Sequence, residues 1–220
     1  MELNSDFTKR AVVHGDCLEW QPSPMAGVER RMLDRIGDEV ARATSIVRYA
    51  PNSKFSSHIH SGGEEFIVLE GVFQDEHGDY PIGSYIRNPP QSSHTPGLED
   101  GCVIFVKLRQ FNSSDRTEVK TQIKDIPAVA DPHRTGVSIK PLFEDEREEV
   151  QIELWKPDTE VIIDAPNGAE LLVLEGSFTE GEDNFRPQSW LRLPINSIAT
   201  AKTGTQGAKV WLKTGHLPFA

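Results

Sequence analysis

Glu65-Phe66-Ile67-Val68-Leu69-Glu70-Gly71 returns later in the chain as Glu170-Leu171-Leu172-Val173-Leu174-Glu175-Gly176, 105 residues on. Ser84-Tyr85-Ile86-Arg87-Asn88-Pro89 returns as Ser189-Trp190-Leu191-Arg192-Leu193-Pro194 at the same offset. Gly101 and Lys107 return as Gly207 and Lys213, one residue further on. Matched segments in one order and nearly one spacing mark an internal duplication. The repeated runs are short and rich in β-branched and aromatic residues, and a 3.6-residue period is hard to find in them. With 15 prolines and 17 glycines as punctuation, they read as an all-β sandwich or barrel, written twice. The sequence therefore predicts two tandem β-domains, residues 1–125 and 135–220, with 126–134 as linker. Gly37-Asp38-Glu39 and Glu76-His77-Gly78-Asp79 read as hairpin turns, and the polar stretch from Asn112 to about Thr135 as connecting chain. Glu144-Asp145-Glu146-Arg147-Glu148-Glu149 falls where the first copy has its Asp34-to-Glu39 turn, and reads as a solvated turn.

Composition narrows the function classes. The 220 residues carry a formal charge of −11, divided as −5 up to Gly136 and −6 beyond it. Neither half is basic, so nucleic acid and anionic membrane surfaces are poor partners. No apolar run approaches the ~18 residues of a membrane span. Met1-Glu2-Leu3-Asn4-Ser5-Asp6 has neither the basic nor the apolar segment of a secretory signal, and the expectation is a cytoplasmic protein. Two cysteines, Cys17 and Cys102, exclude a disulfide framework and a Cys-rich zinc module.

Chemistry concentrates in the first copy. In His58-Ile59-His60, strand alternation puts both imidazoles on one face and Ile59 on the other. Ser61-Gly62-Gly63 allows a sharp turn before Glu64, and His94 follows the tight stretch Pro89-Pro90-Gln91-Ser92-Ser93. Three neutral imidazoles and one carboxylate suit a borderline divalent cation, offsetting half of its charge. Four protein ligands leave one or two coordination positions for water, oxygen or a substrate.

These spacings resemble the two cupin motifs. His58, His60, Glu64 and Gly71 fill the first; Gly83, Pro89 and His94 fill the second. Asn52 and Gln91 stand where the motifs usually have glycine. The chain is most similar to the cupin-like domain of ChrR-type anti-sigma factors. That likeness runs from Trp20 and Gly27-Val28 through Gly62-Gly63-Glu64-Glu65-Phe66 to Ser84-Tyr85-Ile86-Arg87-Asn88-Pro89-Pro90. The resemblance implies two tandem jelly-roll cupin barrels, the second a degenerate copy. It also implies a zinc ion on His58, His60, Glu64 and His94; iron, manganese or nickel are the other occupants to consider. Cupins tend to dimerise by packing sheets and exchanging N-terminal strands, so a tandem pair resembles an intramolecular dimer and leaves further homodimerisation open. ChrR-type proteins grip a sigma factor through a helical zinc domain with paired cysteines. No Cys-x-x-Cys occurs in this sequence, and a sigma-factor partner is not expected.

The second copy is an internal control. At the same offset His58 meets Ile163, His60 meets Ala165, Glu64 meets Ala169 and His94 meets Ala199. An apolar pocket cannot replace the hydration of a bare cation, so this copy should be metal-free. Other candidates are weaker. His14 and Cys17 are two lone ligands near the N-terminus, Cys102 reads as a buried thiol, and His77 and His133 read as solvated. Arg48, Arg87 and Lys107 lie on first-copy strands, facing either the pocket or solvent, and no acid, base or catalytic residue is assigned. Two functions remain. One is a ChrR-like sensor or small-ligand-binding regulatory module responding to oxidants. The other is a mononuclear metal-dependent dioxygenase cleaving a small diketone or hydroxyaryl ketone.

Overall fold

The computed structural model describes residues 1–220 as almost wholly β, with three single-turn 3-10 segments. The chain forms two compact units. Unit 1 comprises Met1–Ser5 and Leu18–Lys124; unit 2 comprises Asp6–Cys17 and Asp125–Ala220. No helix is long and apolar enough to cross a membrane.

In unit 1 the central strands are Val28–Ile36, Arg42–Tyr49, Cys102–Leu108, Glu64–Asp75 and Ser84–Asn88, neighbours in that order and all antiparallel. Unit 2 repeats the order with Val137–Glu144, Glu149–Trp155, Ser197–Thr214, Ala169–Glu180 and Ser189–Leu193. In neither unit does the last strand return to pair with the first, so each is a sandwich-like jelly roll, as the sequence predicts, with its sheet left open. The two loops read as turns, before Arg42 and before Gly78, each close an antiparallel hairpin.

Alternation explains what each face buries. Phe66, Val68, Ile86, Ile104 and Val106 enter the unit 1 core. Leu171, Val173, Leu191, Val210 and Leu212 do the same in unit 2. Their sequence neighbours point the other way and are buried as well, so these strands read as unbroken apolar runs. Among those neighbours is a charged ladder. Glu65 is paired in register with Arg87 on one side and Lys107 on the other. Glu170 stands between Arg192 and Lys213 in the same way. Arg87 and Lys107 thus face neither pocket nor water: they are 1% and 0% exposed, and Arg87 also meets Asp115 at 2.6 Å.

The repeated Leu-Glu-Gly is a β-bulge. Pairing with the neighbouring strand skips Leu69 in unit 1 and Leu174 in unit 2. The glycine that follows takes φ +71° at Gly71 and +70° at Gly176. A Cβ there would lie 2.4 Å and 2.1 Å from the carbonyl oxygens of Gly101 and Gly207, so only glycine fits.

Each sheet is completed by a short strand lying upstream of the other unit in sequence. Val119–Gln122 pairs with Ser84–Asn88 in unit 1, so the stretch read as connecting chain contains a strand. Ala11–His14 pairs with Ser189–Leu193 and belongs to unit 2.

Candidate metal centre

Two short strands carry the site. His58–Ile59 pairs antiparallel with Ser93–His94, and His58 lies directly opposite His94. His60 extends the first strand and is tied to the facing turn by two backbone bonds: its N–H donates to Ser92, and its carbonyl accepts from Gln91, both at 2.9 Å. Ile59 points away and is 69% exposed. Glu64 opens the strand Glu64–Asp75 on the same face as Phe66 and Val68, at the mouth of the core. Gly63, at φ +79°, permits the approach: a Cβ there would lie 2.4 Å from the Phe111 ring.

The three imidazoles converge. Ring centroids are 4.9 Å apart for His58–His60, 4.8 Å for His58–His94 and 4.7 Å for His60–His94. One ligand nitrogen from each lies within 4.8 Å of the others. Glu64 Oε2 is 3.5 Å from His60 Nε2 and 3.9 Å from His94 Nε2. The Glu64 separations lie within twice a bond length of about 2.0–2.2 Å, as donors to one ion require, and the imidazoles would close by a few tenths of an ångström to share it.

The chemistry of the donors fits a cation. His60 Nε2 is buried and has no hydrogen-bond partner in the protein. Burial holds the His60 imidazole below its ordinary pKa, reinforced by His94 and His58 and opposed by the Glu64 charge, so its lone pair is available. Hydrogen-bond partners orient the other donors. Asp75 Oδ2 lies 3.4 Å from His94 Nδ1, Ser56 carbonyl 3.2 Å from His58 Nδ1, and the Asn88 amide donates to Glu64 Oε2 at 3.2 Å. Such partners fix ring orientation and raise ligand basicity. Burial works against a charged His94, but the Asp75 hydrogen bond and the Glu64 charge outweigh it and raise its pKa. Asp75→Asn should therefore weaken metal affinity by roughly 10- to 100-fold with the fold unchanged. An unaltered affinity, read by competition with a chromogenic chelator, would remove Asp75 from this role.

Both departures from the motif glycines keep the backbone a glycine would supply. Asn52 has φ +59° and Gln91 φ +75°. Asn adopts this region readily; for glutamine it costs roughly 1–2 kcal/mol. Gln91→Gly should leave the metal site intact and raise stability by up to about 1 kcal/mol, the gain being trimmed by unfolded-state entropy. A clear loss of stability in a denaturant titration would contradict that account.

A cavity of about 360 Å³ adjoins the donors, with Val47, Phe55 and Leu108 among its apolar walls. Tyr49 also lines it, its phenol held protonated by burial and by the charge of Glu64. Arg48 does not reach it: Arg48 pairs with Glu29 at 2.5 Å and stacks on Trp20. The cations that do line the cavity are Arg30 and Arg109. The signal for Arg30 was its place two residues after Val28, on the face of the strand that turns inward.

In unit 2 the structure confirms the equivalence and shows what replaced the donors. Ile163 lies opposite Ala199, as His58 lies opposite His94. Ile163, Ala165, Ala169 and Ala199 are all buried in the apolar core and offer no donor atom. Elsewhere, His14 bonds to Ser189 at 2.9 Å, and His77 and His133 are exposed. Cys17 is exposed, whereas Cys102 is buried and its thiol is pushed up to about 12 by desolvation. The native protein should show one fast-reacting thiol per chain toward a disulfide reagent, and a second only after unfolding. Two fast thiols would contradict the burial of Cys102.

The chain has the cupin fold twice, once in each unit. Within it, residues 8–112 match the family described as the ChrR cupin-like domain. No curated protein matches the sequence. Among solved structures, a "putative dioxygenase" from Nostoc punctiforme superposes with a TM-score of 0.80 at 15% identity, covering 96% of this chain and 84% of that one. The oxalate decarboxylase of Lactobacillus farciminis gives 0.64 at 10% identity, covering 94% and 86%. A cupin 2 conserved barrel domain protein from Leptotrichia buccalis gives 0.63 at 13%, covering 93% and 95%. At these identities the likeness establishes the fold.

Proposed function

We propose that the chain is a ChrR-like cupin metalloprotein in which unit 1 holds one divalent ion, zinc, on His58, His60, Glu64 and His94. It acts as a small-ligand-binding regulatory module, and unit 2 carries no metal. The observation that carries this reading is the convergence of three imidazoles on a buried His60 Nε2 that lacks a hydrogen-bond partner. The ion would supply a Lewis-acidic point with room for an added ligand. The protein's own groups do the rest. Asp75, Ser56 and Asn88 aim the donors, and Val47, Phe55 and Leu108 make an apolar chamber beside them.

A second reading, a dioxygenase, is favoured by that same chamber, which a purely structural metal does not need. The two differ in the ion required, since zinc has no accessible second oxidation state. Elemental analysis of protein purified without chelator should find zinc. After anaerobic reconstitution with Fe(II), a panel of β-diketones and hydroxyaryl ketones should elicit no oxygen uptake. Substrate-dependent uptake that His94→Ala abolishes would make the protein an enzyme and overturn the regulatory reading.

A further inference from the structure

Arg30 stands apart from the other arginines on the unit 1 strands. Arg87 has Asp115, Arg42 approaches Asp34 at 3.5 Å, Arg48 has Glu29, and Arg35 donates to the Asp38 carbonyl. Arg31 stacks on Trp20 with its guanidinium 4.2 Å from the ring. Arg30 is half-buried on the wall of the metal-site cavity, its Nε is buried without a hydrogen-bond partner, and no carboxylate or ring pairs with it. Arginine stays charged at any physiological pH. A guanidinium drawn partly out of water is costly unless something pairs with it.

Unit 2 shows the contrasting solution. Its cavity, of about 560 Å³, is also lined by an arginine, Arg134. There Glu153 is fully buried and accepts from Arg134 NH2 at 2.5 Å, while Asp131 accepts from Arg134 Nε at 2.7 Å. One cavity neutralises its arginine with its own carboxylates, and the other leaves it open beside the metal donors. The remaining charges on the unit 1 cavity are the ligand Glu64 and, both exposed, Glu39 and Arg109.

We propose that the unit 1 cavity binds a small organic carboxylate, whose carboxylate pairs with the Arg30 fork and whose apolar body lies against Val47, Phe55 and Leu108. This rests on the metal-site reading above, because it places the acid's remaining polar atoms toward His58, His60, Glu64 and His94. A planar guanidinium matches a carboxylate with two parallel hydrogen bonds. A single half-buried arginine in an apolar chamber suits that monoanion better than a phosphate ester, which asks for more donors. The volume lies at the small end of ligand pockets, which fits a short acid.

The test uses the full-length chain loaded with zinc, its metal content measured first. Calorimetric titration with 4-methyl-2-oxopentanoate should show saturable binding. Its uncharged methyl ester and phenyl phosphate should bind far more weakly. Arg30→Gln should lower affinity for the acid by roughly 10- to 100-fold while metal content stays at one ion per chain. Arg30→Lys, which keeps the charge and loses the fork, should fall between. A chain that takes up no metal would sink the metal-site reading before any acid is added. A normally loaded chain that does not bind the acid, binds the ester equally, or is unaffected by Arg30→Gln would overturn the carboxylate assignment alone.

Discussion

His60→Ala should empty the metal site. His60 provides a donor whose Nε2 is buried, has no hydrogen-bond partner and lies 3.5 Å from Glu64 Oε2. Removing it deletes one of four bonds and leaves Glu64 facing a void. The expected loss of affinity exceeds the roughly 10- to 100-fold cost of deleting a ligand's hydrogen-bond partner. The fold should persist, because the two backbone bonds joining residue 60 to Gln91 and Ser92 do not involve the side chain. Acidification should act in the same direction, since each imidazole must be neutral to bind. His94, whose pKa is raised, is the first of the His60–His94 pair to charge in the metal-free protein as pH falls. Metal retention should therefore be full above the imidazole range and decline on passing down through it. A His60→Ala protein with unchanged metal content, measured by mass spectrometry of the elements, would contradict the site as drawn.

Glu65→Ala should be the most damaging single change to unit 1 outside the metal centre. Glu65 is 2% exposed, stands in register between Arg87 and Lys107, and accepts from the Tyr85 hydroxyl at 2.6 Å. Its removal takes the buried carboxylate from between two buried cations, leaving Arg87 to Asp115 and Lys107 to the Thr44 hydroxyl, a loss of about 3–5 kcal/mol. Glu170→Ala should do the same in unit 2, where Glu170 stands between Arg192 and Lys213 and meets His216 Nε2 at 2.9 Å. Glu175→Ala is the matched control: its pair with Lys209 at 2.8 Å is exposed, and its loss should cost under about 1 kcal/mol. Equal denaturation midpoints for Glu65→Ala and Glu175→Ala would show that the ladder is not stabilising.

The fold was legible because the duplication is a physical one. Leu-Glu-Gly is a bulge whose glycine has no substitute, and it survives in both copies for that reason. The gathering of His58, His60, Glu64 and His94 was legible from motif spacing, since His58 and His60 lie on and just past one short strand, Glu64 opens the next, and His94 lies directly across from His58. Period-two alternation says which residues share a face, but not whether the second face is covered. Arg87 and Lys107 were therefore open to being read as outward charges, when both are buried. Nor does sequence order reveal that Ala11–His14 completes unit 2, or that Val119–Gln122 is a strand of unit 1, because edge pairing is settled in three dimensions. Arg30 was missed for a related reason: its significance lies in what does not pair with it.

The central claim is that one unit holds a metal and its duplicate does not. Elemental analysis of the full-length protein, purified without chelator and normalised to protein by amino-acid analysis, tests it directly. The account predicts one divalent ion per chain, falling toward zero in His60→Ala and unchanged when Ala199 of unit 2 is replaced by serine. Two ions per chain, or none in protein that takes up no added zinc, would contradict it.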